Sequence, residues 1–296
     1  VIKFDDYYNV ALCFSGQLRT CKQAAKNILN FFKIADGCTM FHKPVRTDFF
    51  MHTWNKNTWR FPKKRHDNFN IMPINNDDID FMIDTFELKD FKVGDFEKYP
   101  NSQSAWDPLF YSFDQSMILK RDYELEYGFE YDLVIKIRPD IVYDISKQQT
   151  FPYISPVEPG FLYTPNTALF PSEFLRPNFD DVIFFGDSPT MDMLSTLWRS
   201  TIIARNELGV RDYTHPKCEN PDILNYLGPG PLIHRHITNI GLSYERTPRT
   251  GTGMPGHFVG PSLIDYVVLR QSATELNLDS VEDIREIIKI GRDWYI

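Results

Sequence analysis

Residues 131–143 read YDLVIKIRPDIVY. Leu133, Val134, Ile135 and Ile137 make a short, β-branched, apolar run without glycine. Such a run predicts a strand buried on both faces, as in a parallel sheet. Pro139 cannot donate to a ladder, so the regular strand should stop there. Arg138 and Asp140 then flank a proline at the strand's carboxyl end. In open α/β sheets, ligands bind outside the carboxyl ends of strands. A fixed guanidinium beside a fixed carboxylate at that edge suits a phosphate and a divalent cation, or simply an ion pair that closes a loop.

Working back toward the start, residues 9–14 (NVALCF) predict a first strand that runs into Ser15-Gly16-Gln17-Leu18-Arg19-Thr20. Ala24, Ala25, Ile28, Leu29 and Phe32 then recur at helical spacing. Strand, tight polar turn and helix are the first half of a βαβ unit. Gly16 lets a backbone approach a ligand closely. The helix start offers N–H groups to an anion, and Arg19 adds charge. Neither a phosphate-binding Walker loop nor G-x-G-x-x-G is present.

Residues 47–54 (TDFFMHTW) predict a second strand, with His52, Thr53 and Trp54 at its end. His52 reads as a buried, satisfied histidine or a neighbour of a stacked base. Residues 56–65 are basic with interleaved Trp59 and Phe61, which reads first as a solvated loop. A short helix is expected near 77–86, followed by a loop. A longer one spans 108–127, with Phe110, Phe113, Met117 and Ile118 on one stripe, Leu125 a turn further along it, and Gly128 as C-cap.

Beyond the central strand, residues 151–177 are rich in proline and predict an irregular excursion with short strands. Residues 181–185 (DVIFF) predict a strand, with Asp187 pinned between it and a helix. Ser188 as N-cap and Pro189 at the first helical position begin that helix, with Met191, Leu194, Leu197 and Trp198 facing in. Further helices are expected from Pro221, over 232–240 after Gly228-Pro229-Gly230-Pro231, and over 280–290. His234 and His236 read as surface or core histidines. Residues 247–261 predict a loop that carries His257.

Hydrophobic residues are 42% and charged residues 24%, an ordinary globular balance that argues for a real core. Net charge of −8 argues against a general nucleic-acid surface. Aromatics at 15% serve a bulky core or platforms for sugars and bases. Cys13, Cys21, Cys38 and Cys218 lack metal-ligand spacing and read as reduced thiols of an intracellular, cytoplasmic protein, soluble or peripheral. No apolar run is long enough to span a bilayer, and no basic-then-apolar leader opens the chain. The expected fold class is α/β: a Rossmann-like, mostly parallel central sheet flanked by helices, with long loop insertions, forming one domain over 1–296.

Three strand ends thus carry chemistry, around Ser15 to Arg19, Arg138 to Asp140, and Gly186 to Asp187. ALCFSGQLRT, FFMHTW, FYSFDQSMILKRDYE, YDLVIKIRPDI and FDDVIFFGDSPTMD occur in that order over roughly residues 9 to 240. In this order they resemble nucleotide-sugar glycosyltransferases of the GT-A fold, and more closely the WavE-like bacterial and viral polysaccharide-synthesis transferases. The resemblance implies transfer of a sugar from a UDP- or GDP-sugar to a carbohydrate hydroxyl, in polysaccharide or glycoprotein glycan synthesis. It implies Mn²⁺ or Mg²⁺ on the donor diphosphate. Such enzymes place Asp-x-Asp at the central strand end. Here the segment is Arg138-Pro139-Asp140, so Asp140 holds the metal with help from elsewhere or Arg138 partly replaces the cation. His257-Phe258-Val259-Gly260 resembles the His-Phe-x-Gly of some retaining members, where the histidine is a metal ligand. On this reading Ser15, Gly16, Gln17 and Arg19 contact nucleotide and phosphate, with Thr53 and Ser112 lining the pocket. Arg138 neutralises leaving-group charge. Asp187 is the expected general base, with Glu219 and Asp222 as alternatives. Two other readings stand beside it. A nucleotidyltransferase would need a denser basic loop than GQLRT, and a noncatalytic glycan-binding module would need exposed aromatics but no nucleotide affinity.

Overall fold

A computed structural model describes residues 4–32, 39–40, 43–60, 69–97, 107–143, 157–165, 183–200, 229–247 and 266–268. The elements in chain order are β1 (Tyr8–Ser15), α1 (Cys21–Phe32), β2 (Thr39–Met40), β3 (Lys43–Trp54), β4 (Lys56–Arg60) and β5 (Phe69–Pro73). Next come α2 (Asn76–Phe86), β6 (Asp90–Gly94), α3 (Asp107–Tyr127), β7 (Leu133–Ile137), β8 (Ile141–Tyr143) and β9 (Phe161–Pro165). The last are β10 (Phe184–Gly186), α4 (Ser188–Ser195), α5 (Pro229–Ile240), β11 (Ser243–Thr247) and β12 (Tyr266–Val268).

The main sheet runs β11-β9-β10-β7-β1-β3, and both β2 and β6 pair with β3. β6, β3, β1 and β7 are mutually parallel, as are β9 and β11. β10 is reversed, antiparallel to both β7 and β9, and the two-residue β2 runs antiparallel to β3. With β2 set aside, the seven strands ranked by chain order read 3-2-1-4-6-5-7. The first four positions are those of doubly wound dinucleotide-binding sheets, whose order reverses between strands 1 and 4. Here that switch point is the crevice between β1 and β7. β8 leaves the main sheet to pair with β12, and β4 pairs with β5.

β7 behaves as its sequence requires. All five residues are buried, and the strand stops at Ile137, one residue before Arg138-Pro139. Strand alternation sends side chains to two cores. Leu12, Phe14, Ile135 and Ile137 pack with Ala24, Ile28, Met82 and Phe86 under α1 and α2. Ala11, Cys13, Phe50 and Val134 pack with Phe113, Met117, Met191, Leu194 and Ile237 under α3, α4 and α5. The result is an α/β sheet covered by helices on both faces. None of the described helices is long and apolar enough to cross a membrane.

Several expectations are corrected. Leu125 is 75% exposed and Ile118 only half-buried, so the α3 stripe does not continue through them. It continues instead through Lys120 and Glu124, both buried. Lys120 Nζ lies 2.8 Å from Glu124 and 3.0 Å from Asp192, and it also bonds Ser188. A charged network therefore joins α3 to α4, on a stripe that was expected to stay apolar. Residues 90–94 form β6 rather than loop; its first three residues are exposed, which hides the alternation of a strand. Residues 56–60 form β4, paired with β5, rather than a solvated loop. α5 begins at Pro229, inside the stretch expected to interrupt it, since proline is tolerated in a first turn. The expected helices from Pro221 and over 280–290 lie outside the described residues, as does the expected loop over 248–261.

Candidate functional site

β1 enters the site edge at Ser15, level with His52 of β3. Phe14 is level with Ile137, so the end of β7 lies beside it. Gly16 follows with φ of +123°, a conformation that strongly favours glycine. Its amide donates to Ser112 Oγ at 2.8 Å and to the His52 carbonyl at 3.3 Å. Ser112, from the start of α3, lies 2.8 Å from His52 Nδ1 and 3.1 Å from the His52 carbonyl. One proton arrangement satisfies every contact: the hydroxyl donates to the carbonyl and accepts from Gly16 N–H and His52 Nδ1–H. Ser112 thus ties β1, β3 and α3 together under the turn.

His52 is fully buried, with Trp54 and Tyr111 edge-on to its ring. Burial, reinforced by the Lys92 charge, pushes its pKa down to about 3, so the ring is neutral near pH 7. Nε2 has no partner among the described residues and faces Gly94, where an added Cβ would stand 2.8 Å away. Ser15 Oγ and Thr53 Oγ1 are also buried without a partner among the described residues. They do not share a pocket wall. Ser15 has the parity of Ala11 and Cys13, on the α3 face, and Thr53 that of Met51, on the α1 face.

The charged part of the edge is built on Asp140, which is fully buried. Arg138 grips it with both arms of the fork: Nε to Oδ1 at 2.9 Å and Nη2 to Oδ2 at 2.8 Å. Arg19, in the β1–α1 turn, brings Nη1 to 3.5 Å from the same Oδ2. Its Nε donates to Gln17 Oε1 at 2.9 Å. Ser15, Gly16, Gln17, Arg19, Ser112, Arg138 and Asp140 are therefore brought together at the β1/β7 switch point. Thr53 stands one strand over.

Among the described residues alone, the donor set does not fit a divalent cation. Hard cations take six or more oxygen ligands, with carboxylates in the lead. Both Asp140 oxygens already face guanidinium nitrogens. Among the described residues no group of three or more His, Cys, Asp or Glu could hold a metal. His257, the other expected ligand, lies outside the described residues.

Asp187 is not brought to this edge. β10 runs against β7, with Gly186 opposite Val134 and Phe184 opposite Lys136. Its carboxyl end therefore points toward the start of β7. Ile137, at the site end, is three residues on from Val134, roughly 10 Å at about 3.3 Å per residue. Asp187 lies farther still and caps α4, accepting from Thr190 N–H at 3.0 Å. The N-cap is thus Asp187, not Ser188, whose hydroxyl instead donates to Glu124 at 2.7 Å. Glu219 and Asp222 lie outside the described residues. His236 is a core histidine, its Nε2 3.3 Å from the Met193 carbonyl.

Sequence reasoning missed three parts of the site: the structural role of Ser112, the dependence of His52 on Gly94, and the pairing of Arg19 with Asp140. The last joins residues 121 positions apart and has no local signal. Compared with known proteins, the chain matches no family model and no curated protein.

Proposed function

We propose that the chain is a glycosyltransferase on a GT-A-like scaffold, moving a sugar from a UDP- or GDP-sugar to a glycan hydroxyl. The observation that carries the reading is the β1/β7 switch point, where two arginines meet a buried carboxylate beside the Gly16 turn. Doubly wound sheets bind nucleotides at such crevices. The Gly16 turn leads into the amino end of α1, which favours anions. In the reaction the bond between the anomeric carbon and the diphosphate oxygen breaks, and the nucleoside diphosphate departs with the electron pair. The acceptor oxygen forms the new bond and loses its proton, which passes in net to solvent. Arg19 and Arg138 offset charge as it builds on the leaving diphosphate. The buried free thiols Cys13 and Cys21 support a reducing, cytoplasmic setting.

Thermal shift against UDP, GDP and CDP, followed by donor-hydrolysis screening over UDP- and GDP-sugars, tests this. One nucleoside diphosphate should raise Tm, and sugars on that nucleotide should be hydrolysed. If no nucleotide shifts Tm, no donor is cleaved and glycans alone stabilise the protein, the glycan-binding reading replaces this one.

A further inference from the structure

We infer that Ser112 and His52 are positioning residues for the β1–α1 turn, setting the affinity of this edge for a nucleoside diphosphate without touching it. The inference rests on the nucleotide reading above and concerns how its site is held. The turn hinges on Gly16, at φ of +123°. Glycine reaches that region readily but loses the most conformational freedom on staying there. Packing does not hold it, since a Cβ built on Gly16 would meet nothing within 4 Å beyond its chain neighbours. Hydrogen bonding does. The Gly16 amide donates to Ser112 Oγ at 2.8 Å and, at a longer 3.3 Å, to the His52 carbonyl.

Ser112 is held in its turn. Its Oγ lies 2.8 Å from His52 Nδ1 and 3.1 Å from the His52 carbonyl. Both side chains are wholly buried, so a ligand in the crevice reaches neither. The other side of the His52 ring is closed by β6. A Cβ on Gly94 would stand 2.8 Å from His52 Nε2 and 3.1 Å from His52 Cε1. A strut thus runs from Gly94 of β6, through His52 of β3 and Ser112 of α3, to Gly16 after β1. Gln17 and Arg19 follow Gly16 directly, so the backbone angles at Gly16 decide where those two side chains stand. The link at Ser112 needs a hydroxyl, which donates and accepts at once. Threonine can supply that and alanine cannot.

Isothermal titration of the full chain with UDP, GDP and CDP, with and without Mn²⁺, tests the inference together with amide hydrogen exchange at Gly16. It is done at a temperature where circular dichroism shows every variant folded. Ser112→Ala should weaken the nucleotide that binds by about tenfold and speed exchange at Gly16 by a similar factor. Ser112→Thr should keep most of the affinity. Gly94→Ala leaves the Ser112 hydroxyl in place and lies two strands from the turn, yet by displacing the His52 ring it should weaken binding and speed Gly16 exchange as well. Should Ser112→Ala fail to fold, Gly94→Ala decides by the same two readouts. Variants that only lose Tm, with affinity intact, overturn the inference, because the strut is then purely structural. Weakened binding in Ser112→Ala, with Gly16 exchange unchanged and Gly94→Ala like wild type, also overturns it, because Ser112 then touches the ligand itself. Both outcomes leave the nucleotide reading standing. Absence of nucleotide binding by wild type in either condition overturns that reading instead.

Discussion

At the residue scale, the site edge depends on a histidine that must stay neutral. His52 donates to Ser112, packs against Trp54 and Tyr111, and abuts Gly94. A protonated ring would put charge into this enclosure with Lys92 nearby. The folded pKa is about 3 against an ordinary 6.5. Between those values the unfolded chain binds a proton that the folded chain does not. His52 therefore costs nothing above pH 6.5, and stability falls as pH drops from 6.5 toward 3. The slope from this one group is about 1.4 kcal/mol per pH unit within that window. Carboxylates titrate in the same range, so the comparison must be between proteins. His52→Asn keeps a polar partner for Ser112 and removes the titration. Urea denaturation from pH 4 to 7 should give a flatter profile for the variant than for wild type. Parallel profiles would mean that His52 is protonated in the fold or readily reached by water.

At the element scale, what the sequence made legible was what a single strand or helix can encode. β1, β3 and β7 follow from short apolar runs and α1 and α3 from apolar residues at helical spacing, whereas α2 was expected in a weakly patterned acidic stretch; Pro139 and Gly128 mark ends where they were expected. Strand direction is another matter. Phe184 and Phe185 are apolar in either direction, and only pairing with β7 and β9 reveals that β10 is reversed. That reversal moves Asp187 from the expected catalytic edge to the opposite one. β6 was invisible for a different reason: as an exposed strand beside β3, it needs no apolar face. The consequence for Asp187 can be measured. Its carboxylate caps α4, so Asp187→Ala should cost about 1 kcal/mol, seen as a lower urea midpoint with an unchanged slope. Nucleotide affinity should not change. A loss of affinity with stability intact would put Asp187 back among the ligand-binding groups.

At the scale of the whole molecule, the site lies where parts of the chain far apart in sequence converge. β1 pairs with β3 and β7, so Cys13 sits between Phe50 and Lys136, far away in sequence. Such a centre opens only when the sheet itself comes apart, whereas site edges are drawn from less stable regions. The two buried cysteines probe these levels separately. Cys13 is fully enclosed, and burial drives its thiol pKa far above the ordinary value. Cys21 begins α1 directly after the Arg19 turn, and burial raises its pKa to about 12. Thiol labelling along a urea series, resolved by peptide mass spectrometry, should give two answers. The opening free energy at Cys13 should equal that of global unfolding and fall with the same urea slope. Cys21 should open with a smaller free energy and a shallower slope, because only the turn and the first helical turn must part. A nucleotide bound at the Arg19 edge should slow labelling at Cys21, and should raise the opening free energies at Cys21 and Cys13 by the same increment. If Cys13 labels as readily as Cys21 without urea, β1 is not the stable centre of the sheet.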